Sequence, residues 1–76
     1  MYKVIYDDNM GNNSEVSLYS RREDAETAVK TELADVEEYF RGRDYEVTLC
    51  GSKTEIYTRD GNEYASWEIV KSSKEM

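Results

Sequence analysis

Histidine and proline are absent from the sequence, and Cys50 is its lone cysteine. Without histidine the chain lacks the commonest general base and the commonest metal ligand. Cys50 therefore has no imidazole to activate it, and one thiolate cannot build a structural zinc site. An internal disulfide is impossible. A secreted domain this small usually carries several, so a reducing cytoplasm is the expected location. Basic residues are also in deficit, with 10 Lys and Arg against 17 Asp and Glu and a net charge of −7. Direct binding to nucleic acid or to an anionic membrane is disfavoured, because both need a positive face. A basic protein is the electrostatic complement. No apolar run reaches the length of a membrane span. The stretch from Met1 to Asp8 is too short in apolar residues for a signal peptide.

What the sequence has is aromatic and periodic. Seven Tyr, one Phe and one Trp among 76 residues argue against disorder and for one domain, residues 1–76. A chain of this size buries only about 60% of its unfolded surface, so the core is small. Ser20 to Gly42 reads as one long helix. Ser20-Arg21-Arg22-Glu23 has the form of a capping box. Asp24 and Glu26 favour the positive end of the helix dipole, and Arg41 and Arg43 the negative end. Gly42 is the natural residue to follow the last turn. Ala25, Ala28, Val29, Leu33, Val36, Tyr39 and Phe40 form one stripe at the helical period. Arg21 to Arg41 would span about 31 Å, longer than a strand of five or six residues, so the helix should cross its sheet diagonally or overhang it.

The remainder reads as strands: Tyr2 to Tyr6, Glu15 to Tyr19, Tyr45 to Cys50, Thr54 to Arg59 and Glu63 to Val70. Asp7 to Asn13 is a turn cluster, Asp60-Gly61 a type I′ hairpin signal, and residues 71–76 a polar tail expected to fray. The order β-β-α-β-β-β predicts an α+β fold, a single antiparallel five-stranded sheet with one long helix packed on one face. Alternation places Tyr2, Val4, Tyr6, Val16, Leu18, Tyr45, Val47, Leu49, Ile56, Ala65, Trp67 and Ile69 toward the helix. Lys3, Ile5, Tyr19, Glu46, Thr48, Cys50, Glu55, Tyr57, Arg59, Tyr64, Glu68 and Val70 fall on the other face, which nothing is left to cover.

Candidate chemistry is sparse. Counted from Asp7, the sixth and twelfth positions of a calcium loop fall on Asn12 and Leu18, where glycine and a carboxylate are required, so the turn reads as a solvated loop. Acids are plentiful, but a pair of catalytic carboxylates needs a cleft that so thin a domain does not offer. No catalytic, cofactor or metal site is expected, and the chain reads as non-enzymatic. Cys50 is expected half-buried in its strand. Glu32 lies at the margin of the apolar stripe, either reaching solvent or accepting a hydrogen bond from a tyrosine such as Tyr2 or Tyr45.

Two surfaces remain for a partner. On the helix, Glu26–Lys30 and Glu37–Arg41 are favourable pairs at i,i+4. The opposite side carries Asp24, Asp35 and Glu38 with no basic neighbour, a negative stripe that imitates a nucleic-acid backbone or simply faces solvent. On the bare sheet face, Ile5, Tyr19, Tyr57, Tyr64 and Val70, with Glu55 and Glu68 among them, form an amphipathic patch of the kind found in interfaces. Cross-strand pairing that only stabilises the sheet is the alternative.

In size, acidity and the strand–helix pattern from Tyr2 to Val70, the chain resembles the tiny acidic accessory proteins of phages and mobile elements, anti-CRISPR proteins among them. The resemblance rests on no shared motif and assigns no site residues. It implies stoichiometric binding to a host effector, often over its nucleic-acid site, in the host cytoplasm. The expected partner is thus a basic host protein or nucleoprotein complex, with homodimerisation through the bare sheet face as the alternative.

Overall fold

The computed structural model describes residues 1–11 and 14–71. Five strands, β1 (Tyr2–Asp8), β2 (Ser14–Tyr19), β3 (Tyr45–Cys50), β4 (Lys53–Thr58) and β5 (Tyr64–Lys71), form one antiparallel sheet in the order β2-β1-β5-β4-β3. The helix α1 (Arg22–Tyr39) joins the two edge strands. The expected α+β architecture is therefore present. Lys71, at the head of the segment expected to fray, pairs with Tyr2 in the sheet, and residues 72–76 lie outside the described residues. Asn12 and Asn13 of the first turn also lie outside them.

The helix ends differ from expectation by a residue. Arg21, in extended conformation, is the N-cap, and no side chain caps it. The Ala25 N–H bonds to the Arg21 carbonyl, so the box centred on Ser20 is out of step with the first turn. Glu23 and Asp24 supply negative charge there instead, with the Glu23 carboxylate held by the Arg21 guanidinium. At the other end Phe40 is the C-cap, and Gly42, at φ +85°, lies two residues beyond it. Arg41 and Arg43 lie past the last turn, which holds no basic residue.

The hairpin between β4 and β5 is not a two-residue I′ turn. The Gly61 N–H bonds to the Thr58 carbonyl at 2.9 Å, and Gly61, at φ +77°, carries the chain out of that turn. Asp60 organises the loop by accepting from the Thr58 hydroxyl at 2.6 Å and the Asn62 N–H at 3.0 Å. These two bonds favour the ionised form and hold the Asp60 carboxyl below its usual range.

Ala25 and Val29 of α1 pack with Val4, Phe40, Ile56, Ala65, Trp67 and Ile69 to form the core. Tyr39, expected in the stripe, is 60% exposed, because the helix ends on it and its neighbour Phe40 takes the buried place. The 18-residue helix, about 27 Å long, follows edge strand β2 at one end of the sheet and leads into edge strand β3 at the other, so it crosses one face of the sheet on a diagonal. A diagonal rod leaves two corners of its face uncovered. At one, Met10 from the first turn lies beside Val36 and Tyr39. At the other, Leu49 points to the helix side as its register requires, yet is 76% exposed.

Register corrects one strand. Val4 is opposite Ser17, Lys3 opposite Leu18, and Ile5 opposite Val16. Partners across an antiparallel ladder share a face. Ser17 and Tyr19 therefore lie on the helix side, whereas Val16 and Leu18 lie on the outer face, each 60% exposed. The placement expected for Val16, Leu18 and Tyr19 is reversed.

Candidate interaction face

Among the described residues no element covers the outer side of the sheet. Its side chains follow from the ladders as rows running across the strands. Leu18, Lys3 and Val70 make one row, and Val16, Ile5, Glu68, Lys53 and Cys50 the next. Ser14, Asp7, Ser66, Glu55 and Thr48 follow, and Tyr64, Tyr57 and Glu46 close the sheet. Two regions result. Leu18, Val16, Ile5 and Val70 make a continuous aliphatic corner at the β2 edge, with Lys3 set into it. The Tyr57–Tyr64 pair occupies the diagonally opposite corner.

The tyrosine corner is tied together by carboxylates. The Tyr57 hydroxyl donates to Glu46 Oε1 at 3.0 Å, and Arg59 holds the other Glu46 oxygen at 3.0 Å. The hydrogen bond to Glu46, and its negative charge, raise the Tyr57 hydroxyl above the ordinary tyrosine range. Glu55 lies 3.6 Å from Lys53. Exposed pairs of this kind are worth at most about 1 kcal/mol and rearrange easily when a partner approaches.

Of the residues expected to bind, Glu55, Tyr57, Tyr64 and Glu68 share this face. Tyr19 does not, and packs against the core from the helix side. Cys50 is exposed there rather than half-buried, because edge strand β3 has no neighbour beyond it. Asp24, Asp35 and Glu38 lie on α1, on the other side of the sheet, Asp35 beside Met10, Val36 and Tyr39 at the uncovered corner, and cannot act together with the outer sheet face. Glu38 is also not isolated, since Arg41 reaches it at 3.0 Å. Glu26 is paired with Arg22 at 3.0 Å, an ion pair the sequence reading assigned to Lys30. Arg41 joins Glu38 in the same way, where Glu37 was expected. Asp24 and Asp35 make no ion pair among the described residues. Val16 and Leu18 are the outer-face residues that sequence reasoning placed inward. The signal available was Ile5, already placed outward, for which Val16 is an aliphatic partner across the ladder.

Polar groups at the edge of the core sit on the helix side. The indole N–H of Trp67 donates to Glu32 Oε1 at 2.8 Å. The acceptor role foreseen for Glu32 is thus filled, with the tryptophan as donor rather than a tyrosine. Beside them the Tyr6 hydroxyl donates to Asp8, which also accepts the Met10 N–H at 3.0 Å. Asp8 is buried, although its sequence context reads as a solvated turn. Burial, followed by the bond to Asp8 and that carboxylate's charge, pushes the Tyr6 hydroxyl well above the ordinary tyrosine range. Ionising Tyr6 is then harder in the folded chain than in the unfolded one. Its contribution to stability is complete below the unfolded value of about 10 and is lost as pH rises above it toward the folded value. Urea unfolding between neutral and strongly alkaline pH should show a decline that Tyr6→Phe makes shallower. Equal slopes would mean that Tyr6 plays no part.

Among the described residues no cluster of three or more metal-binding side chains occurs, and no helix is long and apolar enough to cross a membrane. Comparison with protein-family models, with curated protein sequences and with solved structures finds no match to this chain.

Proposed function

We propose that the chain is a non-enzymatic binding protein that docks its outer sheet face on a basic, nucleic-acid-handling host complex and so inhibits it. The observation that supports this reading is the uncovered face itself. It combines aliphatic and aromatic anchors with Asp7, Glu46, Glu55 and Glu68, a small acidic excess over Lys3, Lys53 and Arg59, in a chain of net charge −7. Apolar anchors supply affinity, and the acids select a positive surface and speed the encounter. The test is capture on the immobilised protein. A basic nucleic-acid-binding protein should be retained, displaced by added nucleic acid, and lost with Tyr57→Ser/Tyr64→Ser. Retention unaffected by nucleic acid, or unaffected by that variant, would sink the reading.

The aliphatic corner favours a second reading, a homodimer joined through the same face. Val16→Ser/Leu18→Ser separates the two. Stability should stay within about 0.5 kcal/mol, as for exposed positions, whereas inward-facing residues would lose about 1.5–3 kcal/mol each. If light scattering finds a dimer that this variant splits, the assembly reading gains. A monomer at tens of micromolar removes it.

A further inference from the structure

The corner of the sheet that the diagonal helix leaves open is a groove of about 330 Å³ on the opposite side of the molecule from the interaction face. Val29 and Leu33 of α1 form one wall, Thr54 and Ile69 the floor, and Leu49 with Gly51 and Ser52 the other wall. That volume lies near the lower end of the roughly 300–1,000 Å³ typical of ligand pockets. The lining is aliphatic and contains no aromatic ring on which a nucleobase could stack. The groove follows the helix from Arg22 to Leu33, about 16 Å, which suits an extended chain better than a compact ring system.

The rim has a charge opposite to that of the molecule. It consists of Arg22, Lys30 and Glu26. Arg22 and Glu26 neutralise each other at 3.0 Å, and Lys30 makes no ion pair among the described residues. Two cations against one anion leave one net positive charge at the mouth of the groove. Lys71, two residues beyond Ile69 on the same face of β5, adds another at the same end of the sheet. Glu23 and Glu37 are the next acids along this side of the helix; neither lines the groove, and Glu23 is paired with Arg21. Asp24 and Asp35 lie behind α1, roughly a helix diameter of 10 Å away. That exceeds the screening length of about 8 Å in physiological salt.

We propose that this groove binds an aliphatic monocarboxylate, with its chain along Leu49, Val29, Leu33 and Ile69 and its carboxylate at Lys30. The site is independent of the outer face and of any partner docked there. Decanoate, kept below its micelle concentration, is the probe, with decylammonium as the same tail on the opposite charge. Methyl-resolved NMR titration should give saturable shifts at Val29, Leu33, Leu49 and Ile69 with decanoate and weaker binding of decylammonium. Lys30 and Leu49 are exposed, so Lys30→Glu and Leu49→Ser should fold normally. Lys30→Glu should weaken decanoate at least fivefold and reverse the charge preference, and Leu49→Ser should weaken both amphiphiles. The proposal is overturned by equal binding of the two charges, by shifts centred on Ile5, Val16 and Leu18, or by no saturation.

Discussion

Trp67→Ala should remove most of the stability of this domain. Trp67 is fully buried on β5, the central strand, between Tyr6 of β1 and Thr54 of β4. Its ring lies 5.3 Å from that of Tyr6. Truncating a buried tryptophan costs about 3–5 kcal/mol. A chain of 76 residues has roughly 4–11 kcal/mol in all at 0.05–0.15 per residue. The indole N–H is separable from the ring. Trp67→Phe keeps an aromatic in place but withdraws the donor from Glu32, and a bond to a charged group contributes about 1.5–3 kcal/mol. Glu32→Gln keeps an acceptor and should cost less. A double-mutant cycle with urea, followed by far-ultraviolet circular dichroism because Trp67 is the only tryptophan, should give a coupling above about 0.5 kcal/mol. Additive losses would show that the indole and Glu32 do not support each other.

Period carried most of the fold, and it failed where polarity was a poor guide to burial. The helix declared itself through Ala25, Val29, Leu33 and Val36, and four of the five strands through alternation that the ladders reproduce. The fifth, β2, has apolar residues at both parities, Val16 and Leu18 on one and Tyr19 on the other. A shift of one residue exchanges the faces of a strand, so its orientation is set by the connection that precedes it. Asp8 takes part in that setting. It extends β1 past the expected end and is buried because Tyr6 and the Met10 N–H satisfy it. Composition shows an acid in a turn and cannot show its donors. Leu49 fails for a different reason. Its face was legible, but its exposure depends on how far a diagonal helix reaches. The outer face of the sheet was legible in Tyr57, Tyr64, Glu55 and Glu68, and illegible at its aliphatic corner, which depended on β2.

Phe40→Ala should cost about as much as Trp67→Ala, roughly 3–5 kcal/mol, while Tyr39→Ala should cost under about 1 kcal/mol, as at most surface positions. The two aromatics are adjacent in sequence and equally attractive by pattern. The difference comes from the helix end. Phe40 leaves the helical path as the C-cap and turns fully into the core, with Tyr45 at 5.9 Å, while Tyr39 remains on the surface. The Arg43 guanidinium lies 5.1 Å from the Phe40 ring centre and is held there by Glu63. Arg43→Ala should therefore lose about 0.5–1 kcal/mol of cation–π attraction. Phe40 is the joint between α1 and edge strand β3, so its loss should act locally as well as globally. Hydrogen exchange in Phe40→Ala should quicken first in β3 and the last turn of α1, with β1 and β5 following only on global unfolding. Uniform acceleration across the sheet, or a Tyr39→Ala as damaging as Phe40→Ala, would place the anchor of the helix elsewhere.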